Sequence, residues 1–353
     1  MKRRRATVPL LLVLLAATIP LLSAAPDDAT TSSSGGYKVS AVSLPGGGAD
    51  GIGMDVMAYD ARTGLVWAPA GNTGAVDVVD TASGKVTQIS GFPTKEVEVR
   101  GRKRTLGPSA ATVGDAFIYV GNRADSTICA VDARSLTKGV CGALDSPPDL
   151  LAYVPSTREV WVTTPRDHSI RVLDGSTLAQ KAKLVFDGDP EGLSVDASRG
   201  RIYSNLEDKD RTLALDTHTH QTTATWNPGC GEGGPHGLSL DEKAGILFIA
   251  CDARALAMDV GHGGKVTSSV DTGDGVDDLV YVPSSRLLYV GAAKAAKLTI
   301  AQADNAGKLT VKATVPTREG ARNAVVTKEG IVYLAHGGAV KSSELVVVTP
   351  PRK

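Results

Sequence analysis

The sequence predicts an all-β fold, a seven-bladed β-propeller of four-stranded antiparallel blades closed by an N-terminal strand pairing with the last blade. Two observations carry this. First, one segment recurs along the chain: a short apolar strand holding an aromatic residue, a polar turn, then a second apolar strand usually ending on Asp. It reads LVWAPAGNTGAVDVVD at 65–80, FIYVGNRADSTICAVD at 117–132, EVWVTTPRDHSIRVLD at 159–174 and RIYSNLEDKDRTLALD at 201–216. Three further copies begin at Ile246, Leu287 and Ile331. Their aromatic positions, Trp67, Tyr119, Trp161, Tyr203, Phe248, Tyr289 and Tyr333, are separated by 52, 42, 42, 45, 41 and 44 residues. These seven are drawn from only 15 aromatics in the chain, so the register is structural. Second, each period carries an earlier strand, such as DLLAYVP at 149–155, and a later one, such as KVTQIS at 85–90. Four strands in a period of 41 to 45 residues is the spacing of a propeller blade.

Taken from the N-terminus, the chain of 353 residues opens on Lys2, Arg3, Arg4 and Arg5, followed by an apolar run from Val8 to Leu22. That run is short of the roughly 20 residues a spanning helix needs, so residues 1–25 read as a secretory signal peptide cleaved near Ser23-Ala24-Ala25. Its removal leaves 34 cations against 38 anions, a net charge near −4, which gives no case for nucleic-acid binding. No other stretch would span a membrane. A secreted or periplasmic monomer is expected. Residues 26–36 (PDDATTSSSGG) form a polar linker, 37–349 the propeller and 350–353 a short tail. The last repeat supplies three strands before the chain ends. YKVSAVSLP at 37–45 is therefore expected to complete its sheet, because an unclosed ring would leave an edge unpaired.

Tyr119-Val120-Gly121-Asn122 with the downstream AVDARSLTKG, and VDVVDTASGKV at 76–86, resemble the YVTN repeat of YncE-like secreted seven-bladed propellers. The resemblance spans about 37–349 and implies fold more than function. Such propellers include surface-layer, binding and accessory proteins, and related-looking ones include lactonases and dehydrogenase subunits.

Four cysteines in an exported chain favour disulfides. Cys129 and Cys141 are equidistant from a hairpin turn near residue 135, which sets them side by side. Cys230, in the loop entering blade five, and Cys251, ending that blade's second strand, fall at one end of the ring. The expected pairs are Cys129–Cys141 and Cys230–Cys251. No CxxCH or CxxC run is present.

The entrances to the first strands, Asp55, Ser109, Asp149, Glu191, His236, Asp277 and Arg322, are expected to converge around the channel, with Asp278 and Asn323 next to them. Clustered carboxylates repel, so they shift their pKa values or recruit a cation. Asp149, Glu191, His236 and Asp277 suit a divalent ion: calcium or magnesium on oxygen ligands, or zinc with the imidazole. Gluconolactonase-type propellers hold such an ion at this level, as the resemblance implies. The alternative is that these side chains bond strand ends and trapped water. Asn122, His168 and His336 are expected near the same mouth, and His236 with His336 could form an acid/base pair. The longer first interval contains KEVEVRGRKR, 95–104, whose Arg102 and Arg104 read either as a solvated hairpin or as a basic lid over the mouth that captures a small anionic ligand or another envelope protein. His218, His220 and His262 fall in turns on the opposite face. The function expected is a ligand- or protein-binding or scaffold module working through the mouth. The alternative is a metal-dependent hydrolase or lactonase.

Overall fold

The computed structural model describes residues 33–34, 36–99, 101–337 and 341–352. The expected signal peptide, and the linker apart from Ser33, Ser34 and Gly36, lie outside the described residues. Seven antiparallel sheets make up the ring, six of them each formed from four consecutive strands. Blade one comprises Ala58–Asp60, Leu65–Ala70, Ala75–Asp80 and Val86–Ser90, and blade four Pro190–Asp196, Arg201–Leu206, Arg211–Asp216 and Thr222–Trp226. Blades two, three, five and six repeat the pattern. Blade seven takes Ala321–Val326, Val332–His336 and Glu344–Thr349 from the C-terminal end and Tyr37–Ser43 from the N-terminal end. The closing register runs from Lys38 opposite Thr349 to Ser43 opposite Glu344. Gly36, at φ 82°, turns the preceding residues back so that Ser33–Ser34 adds a short fifth strand, carrying the sheet into the expected linker.

The aromatic register has a physical cause. Among the described residues there are seven apolar clusters, and each lies between two successive blades, the seventh blade meeting the first. Each cluster contains one register aromatic from the earlier blade: Trp67 between blades one and two, Tyr119 between two and three, and so on to Tyr333 between seven and one. None is more than 5% exposed. A large ring at that point fills the wedge that opens between twisted sheets, and full burial of each contributes about 2–3 kcal/mol.

The Asp that ends most third strands also has a local task. Asp80, Asp132, Asp174 and Asp216 each accept backbone N–H groups two and three residues ahead, folding the turn into the fourth strand. Those donors favour the ionised form and hold these carboxyls below their usual range. His218, His220 and His262 do lie in or beside such turns; the His262 ring meets Asp259, and the His220 ring sits edge-on to Trp161 at 5.3 Å.

Candidate functional site: an acidic pocket at the channel mouth

The first strands are irregular where they begin. Ladder pairing jumps from Pro235–Cys251 to Leu238–Ile249, and from Val276–Ala292 to Leu279–Val290. Two residues therefore oppose one: His236 and Gly237 face Ala250, and Asp277 and Asp278 face Gly291. Blade four has the same jump after Glu191, and blade seven a related one at Asn323. Such bulges turn side chains away from the sheet faces. Here they help deliver polar groups to the channel, and they explain why Asp277 and its neighbour Asp278 both line it.

The result is a pocket of about 170 Å³ walled by Asp55, Asp149, Glu191, Asp277, Asp278, Arg123 and Arg322, with Val56, Leu150 and Gly237 between them. Gly237 is required, since a Cβ there would fall 2.0 Å from Asp278 Oδ1. Arg123 bonds Asp149 and, at 2.8 Å, Asp55 Oδ2. Arg322 lies 3.3 Å from Asp277 and 3.7 Å from Asp55. Asn323 Nδ2 donates to Asp55 Oδ1 at 3.0 Å and to Asp277 Oδ2 at 2.7 Å. These aspartates are thus tied into one network by two guanidinium groups and an amide.

The opposite arc lacks such compensation. The Glu191 carboxylate has no hydrogen-bond or ion-pair partner among the described residues. Burial, then the charges of Asp277, Glu207 and Asp55, push its carboxyl well above the usual range, against a smaller opposing pull from Arg123. Asp278 is pushed up to about 7, first by burial and less by Asp277 and Asp55, although the Leu279 N–H favours its ionised form. Next to them Glu207 approaches His236 Nδ1 at 3.4 Å. Burial raises the Glu207 carboxyl and the imidazole partly offsets this.

Arg123 and Glu207 were not singled out in the sequence. Each stands one position beyond the last residue of a second strand, Phe117–Asn122 and Arg201–Leu206. The last residue of the strand is buried by the pleat: Asn122 is fully buried, donating to Pro93 O and accepting from Ala124 N, and does not line the pocket. The repeat register, advanced by one residue, contained the signal.

Other expected site residues are placed elsewhere. His336 is held through Nδ1 by Glu344 at 2.7 Å and Ser342 at 3.0 Å, and through Nε2 by the Glu319 carbonyl. It does not line the pocket and forms no acid/base pair with His236, whose ring faces Glu207. His168 occupies a left-handed turn with Nδ1 2.7 Å from Asp189, also away from the pocket wall. The basic segment forms a separate two-stranded sheet, Lys95–Val99 with Arg102–Leu106, and Lys103 pairs with Glu96 at 2.8 Å. Arg104 does not line the pocket, and the side chain of Arg102 lies outside the described residues; of the two readings of this segment, the hairpin is the one observed. The pocket wall itself carries five carboxyl groups and two guanidiniums.

The expected metal donors do not assemble. Among the described residues no three His, Cys, Asp or Glu side chains are grouped to hold an ion. Asp149 and Asp277 are turned onto arginines and Asn323, and His236 onto Glu207. Calcium, magnesium or zinc therefore does not fit the arrangement of Asp149, Glu191, His236 and Asp277.

Both expected disulfides are present: Cys129–Cys141 with Cα atoms 4.0 Å apart, and Cys230–Cys251 at 5.4 Å. The second ties down the glycine-rich loop leading to His236 and Gly237, and Asp210 accepts N–H groups from Cys230 and Gly231 of the same loop. Two disulfides fit an oxidising, extracytoplasmic compartment. Among the described residues no helix is long and apolar enough to cross a membrane.

No known family model matches the chain, and no curated protein matches it. Solved structures resemble it at low identity. Virginiamycin B lyase from Staphylococcus aureus gives a TM-score of 0.68 at 11% identity, covering 89% of this chain and 99% of that one. A chain of a mitotic checkpoint complex gives 0.71 at 13%, covering 99% of both. U3-55K gives 0.71 at 10%, covering 88% and 98%. These likenesses support the propeller fold alone.

Proposed function

We propose that this protein is an exported binding module, secreted or periplasmic, that takes a small polar ligand in the pocket at its channel mouth. The narrower kinship with YVTN-repeat, YncE-like propellers belongs to the same reading. Its main support is the unpartnered Glu191 carboxylate beside Asp55, Asp149 and Asp277, which Arg123, Arg322 and Asn323 cross-link. A half-buried carboxylate that lines a pocket without a partner among the described residues is retained where something else meets it. A hydrolase or lactonase built on a divalent ion is disfavoured, because its ligand set does not assemble.

The test is a small-molecule screen by thermal shift on the purified mature chain. Hits are expected to lose their effect in Asp149→Asn and Asp277→Asn, and to keep it in His218→Ala and His262→Ala on the opposite face. Hits lost only in the opposite-face variants would place function at the other end of the ring.

A further inference from the structure

The charges around the mouth are unevenly distributed, and this bears on ligand class. Arg123 and Arg322 each contact two aspartates, and Asn323 joins two of the same aspartates from a buried position. That arc already contains its cations. Across the pocket, Glu191 and Asp278 have none, and the imidazole of that neighbourhood is engaged with Glu207. Asn323 Oδ1 is a further buried acceptor without a donor. Its amide orientation is fixed by chemistry, since exchanging O and N would set an oxygen against two carboxylates.

We infer that the pocket selects a small protonated amine that also carries a hydroxyl or carbonyl, with Glu191 as the counter-ion of the ammonium. This rests on the mouth being the ligand site. An ammonium is a compact charge with three donors, which suits a single unpaired carboxylate. A second cation on the ligand would meet Arg123 and Arg322, so its far end is a neutral acceptor that those guanidiniums can bond. A carboxylate-bearing ligand would be repelled from the Glu191 arc. The groups facing Glu191 are Asp55, Asp277 and Glu207, which favour its protonated form, and Arg123, which opposes them. Pairing with an ammonium requires the ionised form. Binding therefore releases a proton from Glu191, and affinity rises as pH increases until the amine itself deprotonates.

Three molecules of one chain length separate the alternatives: 4-aminobutan-1-ol, butane-1,4-diol and 4-hydroxybutyrate. Each is titrated into isotopically labelled mature protein while the backbone amides of Gly192, which follows Glu191 in Pro190–Asp196, and Gly237 are followed by NMR. Small ligands of this size bind in roughly the millimolar range, so concentrations to about 50 mM suffice. The amino alcohol is expected to shift both amides and to bind about tenfold more tightly at pH 8 than at pH 5. Glu191→Gln, with unchanged melting behaviour, should weaken it about tenfold, and His262→Ala should leave it unchanged. If the diol or the hydroxy acid moves the mouth amides and the amino alcohol does not, the pocket is a ligand site but the amine assignment is wrong. If magnesium or calcium chloride moves them in place of the amino alcohol, the assignment is likewise overturned. If none of the probes moves them, the mouth reading fails too.

Discussion

Asn323 Nδ2 donates to Asp277 Oδ2 at 2.7 Å, joining the entrances of blades seven and six. The same amide reaches Asp55 of blade one, so a single side chain spans the seam where the ring closes. Asn323 is also left-handed, with φ 51°, a conformation Asn and Asp tolerate better than most residues. Asn323→Ala should therefore lose about 1–3 kcal/mol in urea unfolding, from two lost bonds and backbone strain. Asn323→Asp keeps the backbone preference but adds a carboxylate to two others. Its deficit should shrink as pH is lowered toward 4, whereas that of the alanine variant should change less.

Closure by Tyr37–Ser43 predicts unequal truncations. A mature chain beginning at Gly36 keeps the strand that pairs with Glu344–Thr349. One beginning at Leu44 exposes that strand as an edge and uncovers part of the apolar cluster containing Val39. The longer truncation should melt more than about 10 °C lower or aggregate, and the shorter should differ by a few degrees at most. Equal melting temperatures would contradict the closure.

The disulfides span 12 and 21 residues of sequence, loops for which chain entropy gives about 3 kcal/mol each. Non-reducing peptide mapping should find Cys129–Cys141 and Cys230–Cys251. Replacing Cys230 and Cys251 together should also alter the amide signals of Gly237, because the bridge anchors the loop that carries it. Replacing Cys129 and Cys141 should leave those signals in place.

Asp77 is fully buried, bonded through Oδ1 to Gln88, with Oδ2 lacking a partner. Burial pushes its carboxyl up to about 6 from 3.8, with the Gln88 bond opposing. The folded chain therefore retains the proton longer than the unfolded chain. Its contribution is fully present below about pH 4 and is lost as pH rises through 6. Asp77→Asn should be near neutral at pH 4 and more stable than the parent at pH 8, by about 3 kcal/mol. Urea midpoints at the two pH values check this.

Much of the architecture was legible because a propeller repeats one packing problem. Seven interfaces need seven wedge-filling rings, so Trp67 through Tyr333 count the blades directly, and the third-strand aspartates mark the turns. The convergence of Asp55, Asp149, Glu191, Asp277 and Arg322 followed from the same register. Pairing within the ring did not. Arg123 reaches from blade two to partners at the entrances of blades one and three, and nothing local to Arg123 specifies this. The basic run at 95–104 left two readings open because charge composition does not encode direction: it folds as a hairpin in which Lys103 pairs with Glu96. His236 and His336 share a level in the repeat, yet Glu207 and Glu344 engage them separately.

Glu191 stands uncompensated in the mouth, and the proposed ligand class rests on that. The direct measurement is a side-chain carboxyl NMR titration of the mature protein, with Glu191→Gln assigning the signal. The predicted midpoint lies well above 4.5 and falls when Asp277 is replaced by Asn, since removing a neighbouring negative charge eases ionisation. A midpoint at or below 4.5, unmoved by that substitution, would show that Glu191 has a partner already and would contradict the account.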